Sequence, residues 1–546
     1  MACTLPLTYE IPVEMWDKIF HWLPAADRRT FLWVSPMHRD IARRVLFSTI
    51  KIHLEPTYFD SEGVHYPGGE LGGADDHALL ETDTGTKSYK LIDTIVKDHQ
   101  FASLVKTVVF FAEDSPRTQY FEPIIKLLEA LPHLRGFHLV LPMGSADLSY
   151  ERAGNRCLQL PAFISYLIAQ CPELEELTIP PELPEQILAA LIELKSLRKL
   201  SCKDLLVTTT ADGRLPDETL LPGIISIAHA MSPTLCPLLV DLCIEESYLS
   251  IIPKDVMRRL KQLDVLDVEE ANVSLKRIIN RCPALESLTI HDTLGYSDLT
   301  ATGGLETISD ICAVPQDHRA IAMLLRSPNA LPNLTSFKFL AYETVLPEET
   351  CALLEAFLSG RKGLRRLDIK AIICNVEMAI RLLKVMQKMP GLQVLGFEHF
   401  NPGGAAFHTL KHLPASLTHL RFAINGWSLR QSGNFVDQHF HLLTNRLPDL
   451  TFLHLFDGID VPRPGLPTVR NDVLPVKNPA HFDWEMLRFL GVEHSWFDVL
   501  EDADGKIKLE QWPSREVYGS KFGANRMGVD GEWLMRYHRE VTNGMM

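Results

Sequence analysis

One hydrophobic pattern recurs along this chain: an apolar residue, two positions of any type, a second apolar residue, one free position, and a third apolar residue. It reads LPHLRGFHL at 131–139, CPELEELTI at 171–179, LKSLRKLSC at 194–202 and LCPLLVDLCI at 235–244. LKQLDVLDV (260–268), CPALESLTI (282–290), LPNLTSFKF (331–339) and RKGLRRLDI (361–369) follow. MPGLQVLGF (389–397), PASLTHLRF (414–422) and LPDLTFLHL (447–455) complete the series, with weaker copies at 103–110 and 484–492. The first apolar positions are taken at Leu134, Leu174, Leu197, Leu239, Leu263, Leu285, Leu334, Leu364, Leu392, Leu417 and Leu450. They are 40, 23, 42, 24, 22, 49, 30, 28, 25 and 33 residues apart. Six of these intervals lie between 22 and 30, enough for a strand, a helix and two turns, and the longer ones require insertions or a skipped unit.

The intervening segments carry helical spacing, as in Phe163, Leu167 and Cys171 or Ile380, Leu383 and Met386. A proline commonly precedes the strand (Pro172, Pro283, Pro332, Pro390, Pro414, Pro448), where it stops the helix before it. Self-similarity at this period predicts an α/β solenoid over 91–494, in which each unit buries its apolar face against its neighbours. The copies resemble the leucine-rich repeat family, and those at Cys171 and Cys282 its cysteine-containing subclass. They lack a regular Asn after the strand, so irregular turns are expected. The resemblance implies parallel strands on the concave side and helices on the convex side. Leu177, Leu266, Leu288, Leu367, Leu395 and Leu453 are expected to be buried on those strands.

The first fifty residues carry a different pattern. Val13, Trp16, Ile19, Phe20 and Leu23 follow helical spacing up to Pro24. Asp27 can cap a second helix running to about Val34, and Ser35-Pro36 offers an N-cap followed by proline at the first helical position. A third helix would bury Met37, Ile41, Val45 and Leu46. Three short helices need a partner or a neighbouring domain to cover them. Ile11-Pro12-x-Glu14, Ile19, Leu23, Val34-Ser35, Arg39, Ile41-Ala42 and Leu46-Phe47, leading into a strand at Thr49–Leu54, resemble an F-box. Arg28 and Arg29 stand where leucines are common in that family, and Pro36-Met37-His38 replaces a basic-aromatic pair. The resemblance makes 1–54 an F-box. It implies docking on a Skp-type adaptor, and a cullin through it, with Ile11, Pro12, Ile19, Leu23 and Val34 at the contact. A plain helical cap for the solenoid is the competing reading.

Residues 55–90 are rich in Gly, Asp and Glu and lack an apolar period, which predicts a long acidic loop. Insertions are expected at about 203–220 and 294–318, and a C-terminal cap over 495–546. With 54 Lys plus Arg against 69 Asp plus Glu, the net charge of −15 excludes a general nucleic-acid binder. No apolar run reaches the roughly 20 residues of a membrane span, and no secretory signal opens the chain. The ten cysteines form no CxxC pair, so they read as small buried hydrophobes in a reducing, intracellular setting, cytoplasmic or nuclear.

Catalytic motifs are missing. The chain has no GxxxxGK[ST], GxGxxG or GxSxG sequence. His408 and His412 have the spacing of a helical zinc pair but lack the glutamate of a metallopeptidase, and His439 and His441 lack a third ligand. DADGKIKLEQW (502–512) places Leu500 and Gln511 at the ends of a would-be calcium loop, so a hairpin turning at Asp504-Gly505 is expected instead. No metal, cofactor or enzymatic activity is expected. The F-box resemblance implies a substrate-recognition subunit of an SCF-type ubiquitin ligase. The alternative is a repeat scaffold acting outside any ligase.

Strand alternation then locates a substrate surface. The residues between the apolar positions face the concave side: Glu176, Thr178, Asp241, Asp267, Ser287 and Thr289 early, then Lys338, Arg366, Asp368, His419, Arg421, Phe452 and His454. The early half is acidic or small, whereas the late half gathers the basic and aromatic types enriched at binding hot spots. Arg366, His419, Arg421, Phe452 and His454 are therefore the expected contacts to a protein substrate.

Overall fold

The computed structural model describes residues 15–16, 19–20, 25–53, 57–59, 65–67, 80–82, 84–111, 118–140, 159–179, 194–202, 237–245, 249, 252–266, 281–292, 324–327, 331–373, 375–398, 409–423, 443, 445–456, 486–492, 495–501, 507–511 and 524–535. Ile11, Pro12, Leu23, Asp267, His408, His439, His441 and both expected insertions lie outside these residues.

The strands are numbered in chain order. β2 (Thr57–Phe59), β3 (His65–Pro67) and β4 (Leu80–Thr82) form a small antiparallel sheet. The rest make one 16-stranded sheet whose spatial order is the chain order. It runs through β1 (Thr49–His53), β5 (Thr107–Phe111), β6 (Gly136–Val140), β7 (Glu176–Ile179), β8 (Lys199–Cys202) and β9 (Asp241–Glu245). β10 (Gln262–Leu266), β11 (Ser287–Asp292), β12 (Ser336–Val345), β13 (Arg366–Ile372) and β14 (Val394–Glu398) continue it. β15 (His419–Ala423), β16 (Phe452–Phe456), β17 (Phe489–Val492), β18 (Ser495–Glu501) and β19 (Ile507–Gln511) complete it. Pairing is parallel from β1 to β17 and antiparallel in the final two pairs. Each parallel strand therefore adds beside its predecessor, as a solenoid requires.

The repeated leucines stack in register. Leu177, Leu200, Leu242, Leu263 and Leu288 occupy one position on successive strands, and Leu367, Leu395, Leu420, Leu453 and Leu490 continue it beyond Phe337. All of them are buried in one core cluster that extends from Ile50 to Val499. Burying each such side chain contributes about 1.5–3 kcal/mol. Helices cover this side of the sheet. Glu348–Ser359 inserts Cys351, Leu354, Phe357 and Leu358, and Val376–Met386 inserts Met378, Leu382, Leu383 and Met386. Asn375 caps the latter, its side chain accepting from the Glu377 N–H.

One register expectation is corrected here. Leu263 aligns with Leu288, so it is the second apolar position of its copy, and Leu260 is the first. Leu266 is buried as expected, but alternation puts it on the opposite face, beside Glu245. The residue of this copy that faces away from the helices at that position is Asp264, itself buried. The run LDVLDV repeats its apolar spacing every three residues and so allows both readings.

The turn before each strand explains the prolines. The Leu174 N–H donates to Cys171 O, and Leu285, Leu392 and Leu450 donate likewise to Cys282, Met389 and Leu447. Proline is the second residue of these turns, where its fixed φ fits. The residue before it is a buried anchor. In the copy at 361–369, one of those without proline, Arg361 takes the anchor position, its guanidinium 4.3 Å from the Phe357 ring centroid and Nη1 donating to Leu331 O at 2.5 Å. Cys171, Cys282 and Cys351 carry free thiols, and these three and Cys243 are buried. Burial pushes the Cys171 thiol up to about 11 and those of Cys282 and Cys351 up to about 12, so these thiols are inert.

At the N-terminal end, helices Ala25–Phe31 and Pro36–Leu46 pack around Phe20, Ile41, Ala42 and Val45. Ser35 caps the second of them, accepting from the His38 N–H. The first ends at Phe31, three residues short of the expected Val34, because a tight turn follows in which Val34 N–H donates to Phe31 O. β1 pairs with β5 and joins this bundle to the sheet. The acidic stretch is not a single loop. It contributes β2, β3 and β4, and the helix Thr84–Lys97 begins inside its expected limits. At the C-terminal end, β18 and β19 form the expected hairpin, pairing Glu501 with Ile507.

Candidate functional site

Alternation leaves two well-defined rows on the face opposite the helices. From β12 onward one row runs Ser336, Arg366, Val394, His419, Phe452 and Phe489. The other runs Lys338, Asp368, Gly396, Arg421, His454 and Gly491. All five residues expected to bind substrate are brought together on β13, β15 and β16. Three of them are closed to solvent, and Arg366 and His419 are half-buried. Arg421, Phe452 and His454 are fully buried, and Arg366 retains 18% side-chain exposure.

Much of the cover comes from the chain itself. The helix Ala524–Met535 lies on this face, against β14 and β15, and buries Trp533, Leu534 and Met535 in a cluster with Val394, Phe452 and Trp496. Polar anchors fix its position. Arg366 Nε donates to Asp530 Oδ1 at 2.7 Å and its Nη2 contacts the same oxygen, while Arg365 Nη2 donates to Asp530 Oδ2 at 2.6 Å. Such forked arginine–carboxylate contacts are directional as well as strong.

At the other end of the helix, Lys338 Nζ donates to the Trp533 and Leu534 carbonyls at 2.8 and 3.0 Å. These are among the last carbonyls of the helix, which have no partner within it and carry its negative dipole end. The same ammonium is 2.8 Å from Asp368 Oδ2 and 4.6 Å from the Trp533 ring centroid. Its three N–H donors thus have three acceptors, the condition under which a buried charge is tolerated.

Gly396 makes this arrangement possible. A Cβ there would lie 2.0 Å from Asp368 Oδ1 and 3.0 Å from Leu534 Cδ1. Gly491 plays a similar part beside His454, whose ring stacks on Trp496 with centroids 4.7 Å apart. Arg421 Nη1 and Lys370 Nζ each lie 3.9 Å from Glu398 Oε2. His419 stacks on Phe452 at 5.6 Å. Burial pushes its imidazole down to about 4, aided by Arg365 and Arg366 and opposed by Asp530.

The earlier half of the same face is small and polar. His138 Nδ1 is 2.8 Å from Thr178 Oγ1, and Lys199 is 3.7 Å from Asp241. Among the described residues no group of three or more His, Cys, Asp or Glu could hold a metal ion, and no helix is long and apolar enough to cross a membrane.

The sequence reading missed Asp530, Trp533, Leu534 and Gly396. Asp530 followed three residues later by Trp-Leu-Met in a polar background is the signal that carries them, and the expectation of a C-terminal cap does not use it.

Of the expected adaptor contacts, Ile19 is half-buried and Val34 is 56% exposed. Beside Val34, Trp33 is 84% exposed, and Met37 in the next helix is exposed as well.

No family model matches the sequence, and no curated protein matches it. A solved structure of a TLR13–ssRNA13 complex is similar at 13% identity with a TM-score of 0.30. The match covers 66% of this chain and 51% of that one, so it spans about half that structure's length.

Proposed function

We propose that this chain is a non-catalytic substrate-recognition subunit of an SCF-type ubiquitin ligase. Its N-terminal helices dock a Skp-type adaptor, and a cullin through it, while the repeats hold a protein substrate. The observation that carries this reading is the apolar surface at the end of the N-terminal bundle. Trp33 and Val34 are exposed and, among the described residues, belong to neither the cluster around Phe20, Ile41 and Val45 nor the core of the sheet. Exposed aromatic and aliphatic side chains beside each other are the usual anchors of a protein interface.

The long sheet by itself also supports a broader reading, a repeat scaffold that binds proteins outside any ligase. Adaptor capture separates the two. The full chain should retain a Skp-type adaptor, and Trp33→Glu with Val34→Glu should weaken that capture at least about tenfold without lowering thermal stability. A chain that captures no adaptor, or whose double variant captures it equally well, leaves the scaffold reading in place of the ligase one.

A further inference from the structure

The helix Ala524–Met535 is a weak helix in a strong site. Gly528 and Gly531 lie within its 12 residues, each costing about 1 kcal/mol relative to alanine, and helices this short are marginal in isolation. Val529 on its outer side is 66% exposed. The face beneath it, by contrast, meets it with several directed contacts. Arg365 and Arg366 meet one carboxylate, Lys338 meets two terminal carbonyls, and the space left by Gly396 admits Leu534. The sheet side supplies these anchors, and among the described residues the occupant answers with Asp530, Trp533, Leu534, Met535 and a helix end.

We propose that the face of β12–β16 opposite the repeat helices is a helix-binding site, and that Ala524–Met535 occupies it as a built-in ligand in competition with a partner. The partner segment is an amphipathic helix bearing a carboxylate one turn before an aromatic–aliphatic pair, with its C-terminal carbonyls close behind. The arginine pair selects the carboxylate and so sets the register, because Asp530 and Trp533 are three residues apart on one helix face. Lys338 selects the helix direction, since only a C-terminal end presents unpaired carbonyls. Tethering gives the resident helix an effective concentration on the order of millimolar, so a partner binds appreciably only when it is the better fit or when the helix is displaced. This deepens the substrate-holding part of the proposed function and rests on it only for the word substrate.

The test uses a fluorescent peptide with the sequence of residues 524–535, followed by anisotropy against the full chain. A chain carrying Asp530→Lys and Trp533→Ala should bind it at least about tenfold more tightly than the unaltered chain. A chain carrying Val529→Asp should behave as the unaltered one. A chain carrying Arg366→Asp should refuse the native peptide and accept one carrying Asp530→Arg. That second arm reads correctly even if the first variant folds poorly, because one and the same protein must discriminate the two peptides. Equal binding by the unaltered and released chains, or failure of both released chains to bind either peptide, overturns the proposal. Adaptor capture reads the N-terminal bundle alone, so its outcome and this one fail separately.

Discussion

His419 shows how a single side chain reports on the whole covered face. Its ordinary value of 6.5 is pushed down to about 4, first by burial, with Arg365 and Arg366 lowering it further and Asp530 opposing them. The folded chain therefore keeps this imidazole neutral where the unfolded chain has already bound a proton. Stability is fully present above about pH 6.5 and falls as the pH drops toward 4, by about 3 kcal/mol at most. Urea denaturation at pH 7.5 and pH 5 should show this loss, and His419→Gln should remove most of the difference between the two. A His419→Gln chain with an undiminished pH dependence would place the titrating group elsewhere. The alternation rule identified this residue and its neighbours as facing away from the core, because strand geometry leaves no other choice. It gave no sign that they are covered, because the cover comes from Asp530, more than a hundred residues away in the chain, and local period carries no such information.

Among the elements, the strands were legible from their apolar spacing, the turns from their prolines and the C-terminal hairpin from its Asp-Gly, while the acidic stretch and the C-terminal helix were not. β2–β4 are three residues each, too short to display an alternation. The helix Ala524–Met535 holds two glycines and takes its helical form from packing against the sheet rather than from propensity. β10 is the instructive case, since LKQLDVLDV satisfies the repeat pattern at two registers three residues apart. Pairing decides between them: Leu263 opposes Leu242 and Leu288 in the core, whereas Leu266 opposes Glu245 on the other face. Leu263→Ala should therefore cost about 2–5 kcal/mol, as a cavity in a packed core does. Leu266→Ala, outside the main core cluster, should cost clearly less in the same chemical denaturation. The reverse order would mean that the strand pairs three residues out of step.

At the scale of the molecule, a solenoid is held together by contacts between successive units, so perturbations should stay local. The C-terminal helix is an exception: it joins Lys338 to Trp533 and Leu534 across 195 and 196 residues of sequence, and Arg366 to Asp530 across 164. It thereby fastens β12 through β15 together from the face that lacks the other helices, while β5 to β9 receive no such clamp from it among the described residues. Lys338→Met is the sharpest probe of this difference. It removes the buried ammonium from Asp368 and from two helix-end carbonyls at once, and stripping one partner from a buried ion pair costs about 3–5 kcal/mol. Amide hydrogen exchange should accelerate in β12–β15 and in Ala524–Met535 and stay unchanged in β5–β9. Adding Asp368→Leu to the lysine variant should restore much of the protection, because the pair is then replaced by apolar volume rather than broken. Exchange that rises uniformly along all the strands would show that the sheet unfolds as one unit, and the helix would then be a passenger on the face rather than the clamp that holds it.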